Sequence, residues 1–114
     1  MQRRDWKLRI EDILDAIEKI QRYTDGMNLK SFKADDKTVD AVVRNITIIG
    51  ETSNHVPQEV QNKYPDIPWI EMRGIRNVIV HEYFGVSHSI LWHTIRENLP
   101  PLLPTLKKML EDEL

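Results

Sequence analysis

Trp6-Lys7-Leu8-Arg9-Ile10-Glu11-Asp12-Ile13-Leu14-Asp15-Ala16-Ile17-Glu18-Lys19-Ile20 is the stretch that decides the fold class. Trp6, Ile10, Ile13, Leu14, Ile17 and Ile20 recur at intervals of three and four, and Glu11, Asp12, Asp15, Glu18 and Lys19 fill the other face. A strand would place apolar side chains at every second position, which this stretch does not do. The spacing predicts a helix of about five turns. It ends near Asp25-Gly26, where glycine suits the residue that closes a helix.

The same periodicity continues outward. Asn28 to Lys37 is a polar stretch with Leu29, Phe32 and Ala34 as its only anchors. Val39, Val42, Val43, Ile46 and Ile49 predict a second helix to about His55; their β-branching favours strands, but their spacing does not. Pro57 is placed at the first position of a short third helix, residues 57–63. Pro65 and Pro68 bracket a rigid connector. Trp69, Met72, Ile75, Ile79 and Val80 predict a fourth helix that stops around Tyr83-Phe84-Gly85. Ser87 is a plausible N-cap for a fifth, with Ile90, Leu91, Ile95 and Leu99 on one side. Asn98-Leu99-Pro100 predicts a kink or restart before Leu102, Leu103, Leu106, Met109 and Leu110. Glu111-Asp112-Glu113 reads as a solvated tail. The expectation is an all-α antiparallel bundle of four main helices plus a short one, forming a single domain over residues 1–114.

Composition narrows the chemistry. The chain has 114 residues, 40% of them hydrophobic and 30% charged, as in an ordinary folded domain. It contains no cysteine, which excludes disulfides, thiolate zinc sites and cysteine nucleophiles. The formal net charge is -2, so no global basic field gathers nucleic acid, and any such binding uses a local patch. Met1-Gln2-Arg3-Arg4-Asp5-Trp6 is charged and is not followed by a signal-peptide apolar run, so no targeting segment is expected. No apolar run approaches a membrane span, so a cytoplasmic location is expected.

The four histidines do not assemble a metal site. His81-Glu82 begins like H-E-x-x-H, but Gly85 occupies the position of the second histidine. His88 and His93 are five residues apart, about 140° around a helix, too divergent for one ion. Ser87-His88-Ser89 lacks the elbow and oriented acid of a nucleophile and reads as a polar helix start. His55 falls at a helix end, where imidazoles meet terminal carbonyls.

The segment from Arg73 to Gly85 is different. Arg76, Asn77, His81 and Tyr83 share the C-terminal half of a helix marked as buried by Met72, Ile75, Ile79 and Val80. An arginine beside a core stripe calls for a partner. On a straight helix Arg76 and His81 diverge by about 140°. They converge if the helix frays after Val80, or if a second copy faces the first across a two-fold axis. Such a pair suits cleavage of an RNA phosphodiester by internal transfer. Arg76 would hold the phosphate and the charge that develops on it, and His81 would exchange protons with the 2'-hydroxyl or the leaving oxygen. The bland reading is a buried ion pair of Arg76 with Glu51, Glu71 or Glu82, and His81 as a helix C-terminal cation. Residue types and spacing alone favour the bland reading, because R-x4-H often arises by chance.

Five ordered segments alter that balance. Arg76-Asn77-x-x-x-His81-x-Tyr83 resembles the R-x4-H-x-Y signature of HEPN-domain ribonucleases, specifically the HepT-type toxins. Ile67-Pro68-Trp69 resembles that family's lead into the motif helix. Arg44-Asn45 with Ile48-Ile49-Gly50-Glu51 resembles its second-helix segment. His81-x-Tyr83-Phe84-Gly85-Val86, then Leu91-Trp92 and Asn98-Leu99-Pro100, resemble its C-terminal half. The likeness spans roughly residues 5–110.

The resemblance implies a HEPN bundle that forms a homodimer, or a higher even oligomer, through facing motif helices. It implies the toxin of a type VII toxin–antitoxin system: a metal-independent endoribonuclease with no cofactor, Arg76 and His81 as catalytic pair and Asn77 as a polar helper. It further implies a cognate MntA-type nucleotidyltransferase antitoxin that attaches AMP to Tyr83, which by its own chemistry reads only as a core aromatic. RNA affinity would come from the paired clefts, with Arg73, Arg44 or Lys63 at the rim. Two alternatives stay open: a non-catalytic module that supports the nucleotidyltransferase, and a purely structural dimerisation bundle.

Overall fold

The first helix of the computed structural model, α1, runs from Arg3 to Thr24. The model describes residues 3–75 and 88–112, with side chains from Trp6 onward. Ile10, Ile13, Ile17 and Ile20 are completely buried, as the three-and-four spacing requires. Gly26 takes φ +76°, the left-handed conformation expected where this helix closes. The Thr24 hydroxyl donates to the Ile20 carbonyl at 2.8 Å and satisfies an acceptor of the last turn.

The polar stretch that follows contains a short helix, α2 (Leu29–Lys33). Its signal is local: the Ser31 N–H donates to Asn28 Oδ1 at 2.8 Å, and the Asn28 N–H donates to Ser31 Oγ at 3.0 Å. This reciprocal cap offsets the cost of starting so short a helix. Of the three expected anchors Phe32 is fully buried and Leu29 half-buried, but Ala34 is exposed. Ala34 is the residue just beyond the helix end, where the chain turns outward.

The second long helix is α3 (Asp36–Asn54). Asp35 caps it, its carboxylate accepting the Thr38 N–H at 3.0 Å. Val42, Ile46 and Ile49 are completely buried along its inner stripe. Gly50 and Ser53 continue that stripe with small volumes, and the Ser53 hydroxyl is satisfied by the Ile49 carbonyl at 2.6 Å. Among the described helices α1 and α3 form the principal packed pair.

Pro57 is the N-cap of α4 (Gln58–Lys63) rather than its first helical residue, with ψ 143° keeping it extended. Residues 69–75 are helical and form the described part of α5. α6 spans His88–His93 and passes directly into a π-helical turn, Thr94–Asn98, closed by the Leu99 N–H donating to the Thr94 carbonyl at 3.0 Å. The break expected at Asn98-Leu99-Pro100 follows, and α7 (Leu102–Asp112) completes the bundle. Pro104 falls in the first turn of α7, where its missing N–H leaves no bond unmade. Glu111 and Asp112 are exposed on its last turn, so the acidic run is partly helical.

Leu91, Ile95 and Leu99 are buried together with Leu102, Leu106 and Met109. Ile90 is not: it is 48% exposed, contrary to the expected stripe. Leu91, Ile95 and Leu99 keep one inward line at four-residue spacing, which a wide π-helical turn permits. Ile90, one residue or 100° from Leu91, falls off that line. The described residues contain no strand, and they form the expected all-α HEPN-type bundle, with the short α2 and the separate α7 added to the five helices the sequence suggested.

Candidate functional site

Arg76, Asn77, His81 and Tyr83 lie outside the described residues, as do Glu82 and Ser87. The structure describes the platform that leads up to them: the connector from α4, the first turns of α5, and the helices packed around these.

The connector is pinned from both sides. Ile67 and Trp69 of the Ile67-Pro68-Trp69 segment are 3% and 6% exposed. The Trp69 indole N–H donates to the Tyr64 carbonyl at 3.0 Å, and the Met72 N–H donates to the Pro68 carbonyl at 3.0 Å, which starts α5. An indole buried with its N–H satisfied contributes a large apolar area without an orphaned donor.

A second tie joins α4 to α5. Gln61 is 6% exposed. Its Nε2 donates to the Val56 carbonyl at 2.9 Å, and its Oε1 accepts from Nη1 of Arg73. The half-buried Arg73 guanidinium is thereby held by a neutral amide. Nothing in the sequence marks Gln61, which lies in a polar run; the two residues are twelve apart and meet only in the folded chain.

A cleft of about 410 Å³ opens beside α5, walled by Met72, Ile75, Leu99 and Leu102, with Glu71 and Asn98 among its polar lining. The π-helical turn brings Asn98 to this cleft. Gly74 lies on the same wall, and a Cβ there would meet nothing within 4 Å. On another part of the bundle Phe32 sits 5.1 Å from the Trp92 ring and 6.4 Å, edge-on, from His88. The Arg96 guanidinium stacks 5.4 Å from the centre of Trp92.

The remaining sequence candidates are dispersed. His55 caps α3 through its backbone N–H, which donates to the Ser53 and Thr52 carbonyls. His88 packs against Phe32, and His93 is exposed at the end of α6. Arg44 is exposed on α3, and the Lys63 ammonium lies 5.8 Å from the Tyr64 ring. Among the described residues no three histidine, aspartate or glutamate side chains are grouped to hold a metal ion. No described helix is long and apolar enough to cross a membrane. In the second-helix segment Asn45 is buried with its amide donating to the Ala41 carbonyl at 2.9 Å, while Glu51 is exposed, as is Glu71.

Comparison with known proteins is consistent across the chain. The profile of the family described as Ribonuclease HepT-like matches residues 13–109. A protein of Thermococcus cleftensis named "Probable ribonuclease HepT" is 39% identical over 107 residues, which cover 94% of this chain and 97% of that one. A provisionally named RNase of Caldanaerobacter subterraneus is 36% identical, covering 91% of this chain and 93% of that protein. Another from Methanocaldococcus jannaschii is 31% identical over 98% of this chain and 93% of its own length. No solved structure gives a significant match.

Proposed function

Because this chain belongs to the HepT-like ribonuclease family, we propose that it is an endoribonuclease that cuts RNA by internal transfer, with Arg76 and His81 as its working pair. The family match carries the reading: it spans residues 13–109, and within that span the sequence reads Arg76-Asn77-x-x-x-His81-x-Tyr83. The 2'-oxygen of the substrate attacks the neighbouring phosphorus and forms a 2',3'-cyclic phosphate. The bond to the 5'-oxygen breaks, and that oxygen leaves as a hydroxyl. His81 exchanges protons with these oxygens, Arg76 stabilises the charge on the phosphorane oxygens, and Asn77 assists as a polar neighbour. The nucleophile belongs to the substrate, so DNA is not cut and no metal ion is required to generate it.

Two facing copies of α5 complete the cleft in this reading, each bringing an Arg76 and a His81. The protein acts as the toxin of a type VII toxin–antitoxin pair in the cytoplasm. Its partner is an MntA-type nucleotidyltransferase that transfers AMP to Tyr83. A phosphate two residues after His81 would occupy the anion site of Arg76 and block RNA.

The test is cleavage of a synthetic RNA by the purified chain in EDTA. Cutting is expected with 2',3'-cyclic phosphate ends. Arg76→Ala and His81→Ala are each expected to slow it by roughly 10²–10⁴-fold while leaving a folded dimer by circular dichroism and light scattering. Undiminished cutting in both variants would refute the assignment of the pair. Failure of the folded wild-type chain to cut any RNA would favour a non-catalytic module that supports the nucleotidyltransferase. Intact mass after co-expression with the nucleotidyltransferase is expected to rise by one or more AMP units, and Tyr83→Phe is expected to prevent this.

A further inference from the structure

We propose that Arg73, fixed by the buried amide of Gln61, is a phosphate-binding residue that holds the RNA backbone beside the site of cleavage. The inference rests on the ribonuclease reading and adds a substrate contact to it. Three observations carry it. Arg73 is half-buried, yet among the described residues the one side-chain hydrogen bond of its guanidinium is to Oε1 of Gln61, a neutral group. Among the described residues it makes no ion pair, although Asp66 and Glu71 line the same depression. Gln61 is itself fixed, because its Nε2 is committed to the Val56 carbonyl at 2.9 Å and the side chain is only 6% exposed.

The chemistry follows from these facts. A partly desolvated guanidinium is ordinarily neutralised by a carboxylate. Here an amide takes one donor and orients the planar fork, and it leaves the charge and the remaining donors unspent. That arrangement favours an anion that accepts two hydrogen bonds side by side, which a phosphodiester does. The guanidinium faces a depression of about 560 Å³ at the α4–α5 corner, open to a polymer. Arg73 also precedes Arg76 by three residues in the sequence. The chain as a whole has net charge -2, so a fixed cation of this kind gives a local foothold that overall charge does not. Asp66 and Glu71 are both exposed, and solvent weakens their opposition.

The experiment measures binding separately from cutting. The probe is a fluorescent 2'-O-methyl oligoribonucleotide, which cannot be cleaved, titrated with full-length protein by anisotropy at several salt concentrations. Arg73→Gln is expected to weaken binding roughly tenfold at low salt. It should also reduce the slope of log affinity against log salt by about 0.7, the loss of one single-strand phosphate contact. Gln61→Glu keeps the size and the bond but pairs the guanidinium with a carboxylate, and it is expected to reproduce both changes. Asp66→Asn is expected to tighten binding. Thermal melts confirm that each variant is folded. If Arg73→Gln and Gln61→Glu bind with wild-type affinity and slope, the proposal is overturned and the ribonuclease reading stands. If the wild-type chain binds no RNA and cuts none, both fall.

Discussion

Between α1 and α3 the buried side chains are aliphatic, Ile10, Ile13 and Ile17 against Val42, Ile46 and Ile49, whereas the corner between α4 and α5 is tied by the side chains of Gln61, Trp69 and Arg73. The first region gains from removing apolar area from water, which is indifferent to direction. The second gains from hydrogen bonds, which fix a direction and lose most when one partner is missing. The aliphatic seam therefore sets how stable the bundle is. The polar corner sets how α5 leaves its connector. Substitutions in the two regions should separate accordingly.

The largest effect is expected in the seam. Ile46 is completely buried, and Ile46→Ala should cost about 2–5 kcal/mol of unfolding free energy in urea, through lost burial and the cavity left behind. A loss below about 1 kcal/mol, the scale of an Ile→Val change in a core, would mean that α1 and α3 are not the main stabilising pair. At the corner the loss should be smaller. Trp69→Phe removes the indole donor and leaves the Tyr64 carbonyl without that bond, at about 1–3 kcal/mol. Its effect on RNA cleavage should exceed what lost stability explains, because the start of α5 is reoriented. Equal loss of stability and activity in Trp69→Phe would erase the distinction between the two regions.

The seam was legible in the sequence and the corner was not, for a physical reason. Burial at Trp6, Ile10, Ile13 and Ile17 is written in helical period, because one face of a helix must meet the core. Gly26 was legible because a helix end needs a left-handed residue there. Gln61 and Arg73 form a contact between two helices, and neither residue type nor local spacing announces it. The small helix α2 was hidden in a polar stretch, although the reciprocal cap of Asn28 and Ser31 was available to find it. Ile90 was misplaced because a period of 3.6 does not anticipate a π-helical turn. Of the candidate site, the Ile67-Pro68-Trp69 lead-in proved structural in an informative way, and the proposed pair Arg76 and His81 lies outside the described residues.

Two glycines sharpen the same contrast at lower energy. Gly26 has φ +76°, so Gly26→Ala should cost roughly 1 kcal/mol although its Cβ would meet nothing within 4 Å. Gly74 is helical and also has open space around its Cβ position. Gly74→Ala should therefore stabilise the folded chain by about 0.5–1 kcal/mol. The signs differ because backbone conformation, not crowding, decides both. A destabilised Gly74→Ala chain at high protein concentration, but not at low, would show that a second copy approaches this wall of the cleft.

The smallest effect belongs to the half-buried Asp35 cap and is visible only in its pH dependence. The Thr38 backbone N–H, followed by the Thr38 side chain, holds the Asp35 carboxyl below the usual aspartate range. A carboxyl whose value is lowered on folding contributes stability that is fully present above its unfolded value, near 3.9. That contribution fades as pH falls through the folded value. Asp35→Asn keeps an oxygen acceptor for the Thr38 N–H and removes the titration. The wild-type melting temperature should exceed that of Asp35→Asn at pH 6 by a small margin, and the margin should close or reverse as the pH falls below the unfolded aspartate value and through the folded one. A margin that stays constant across this range would assign the cap's contribution to hydrogen-bond geometry rather than to charge at the N-terminus of α3.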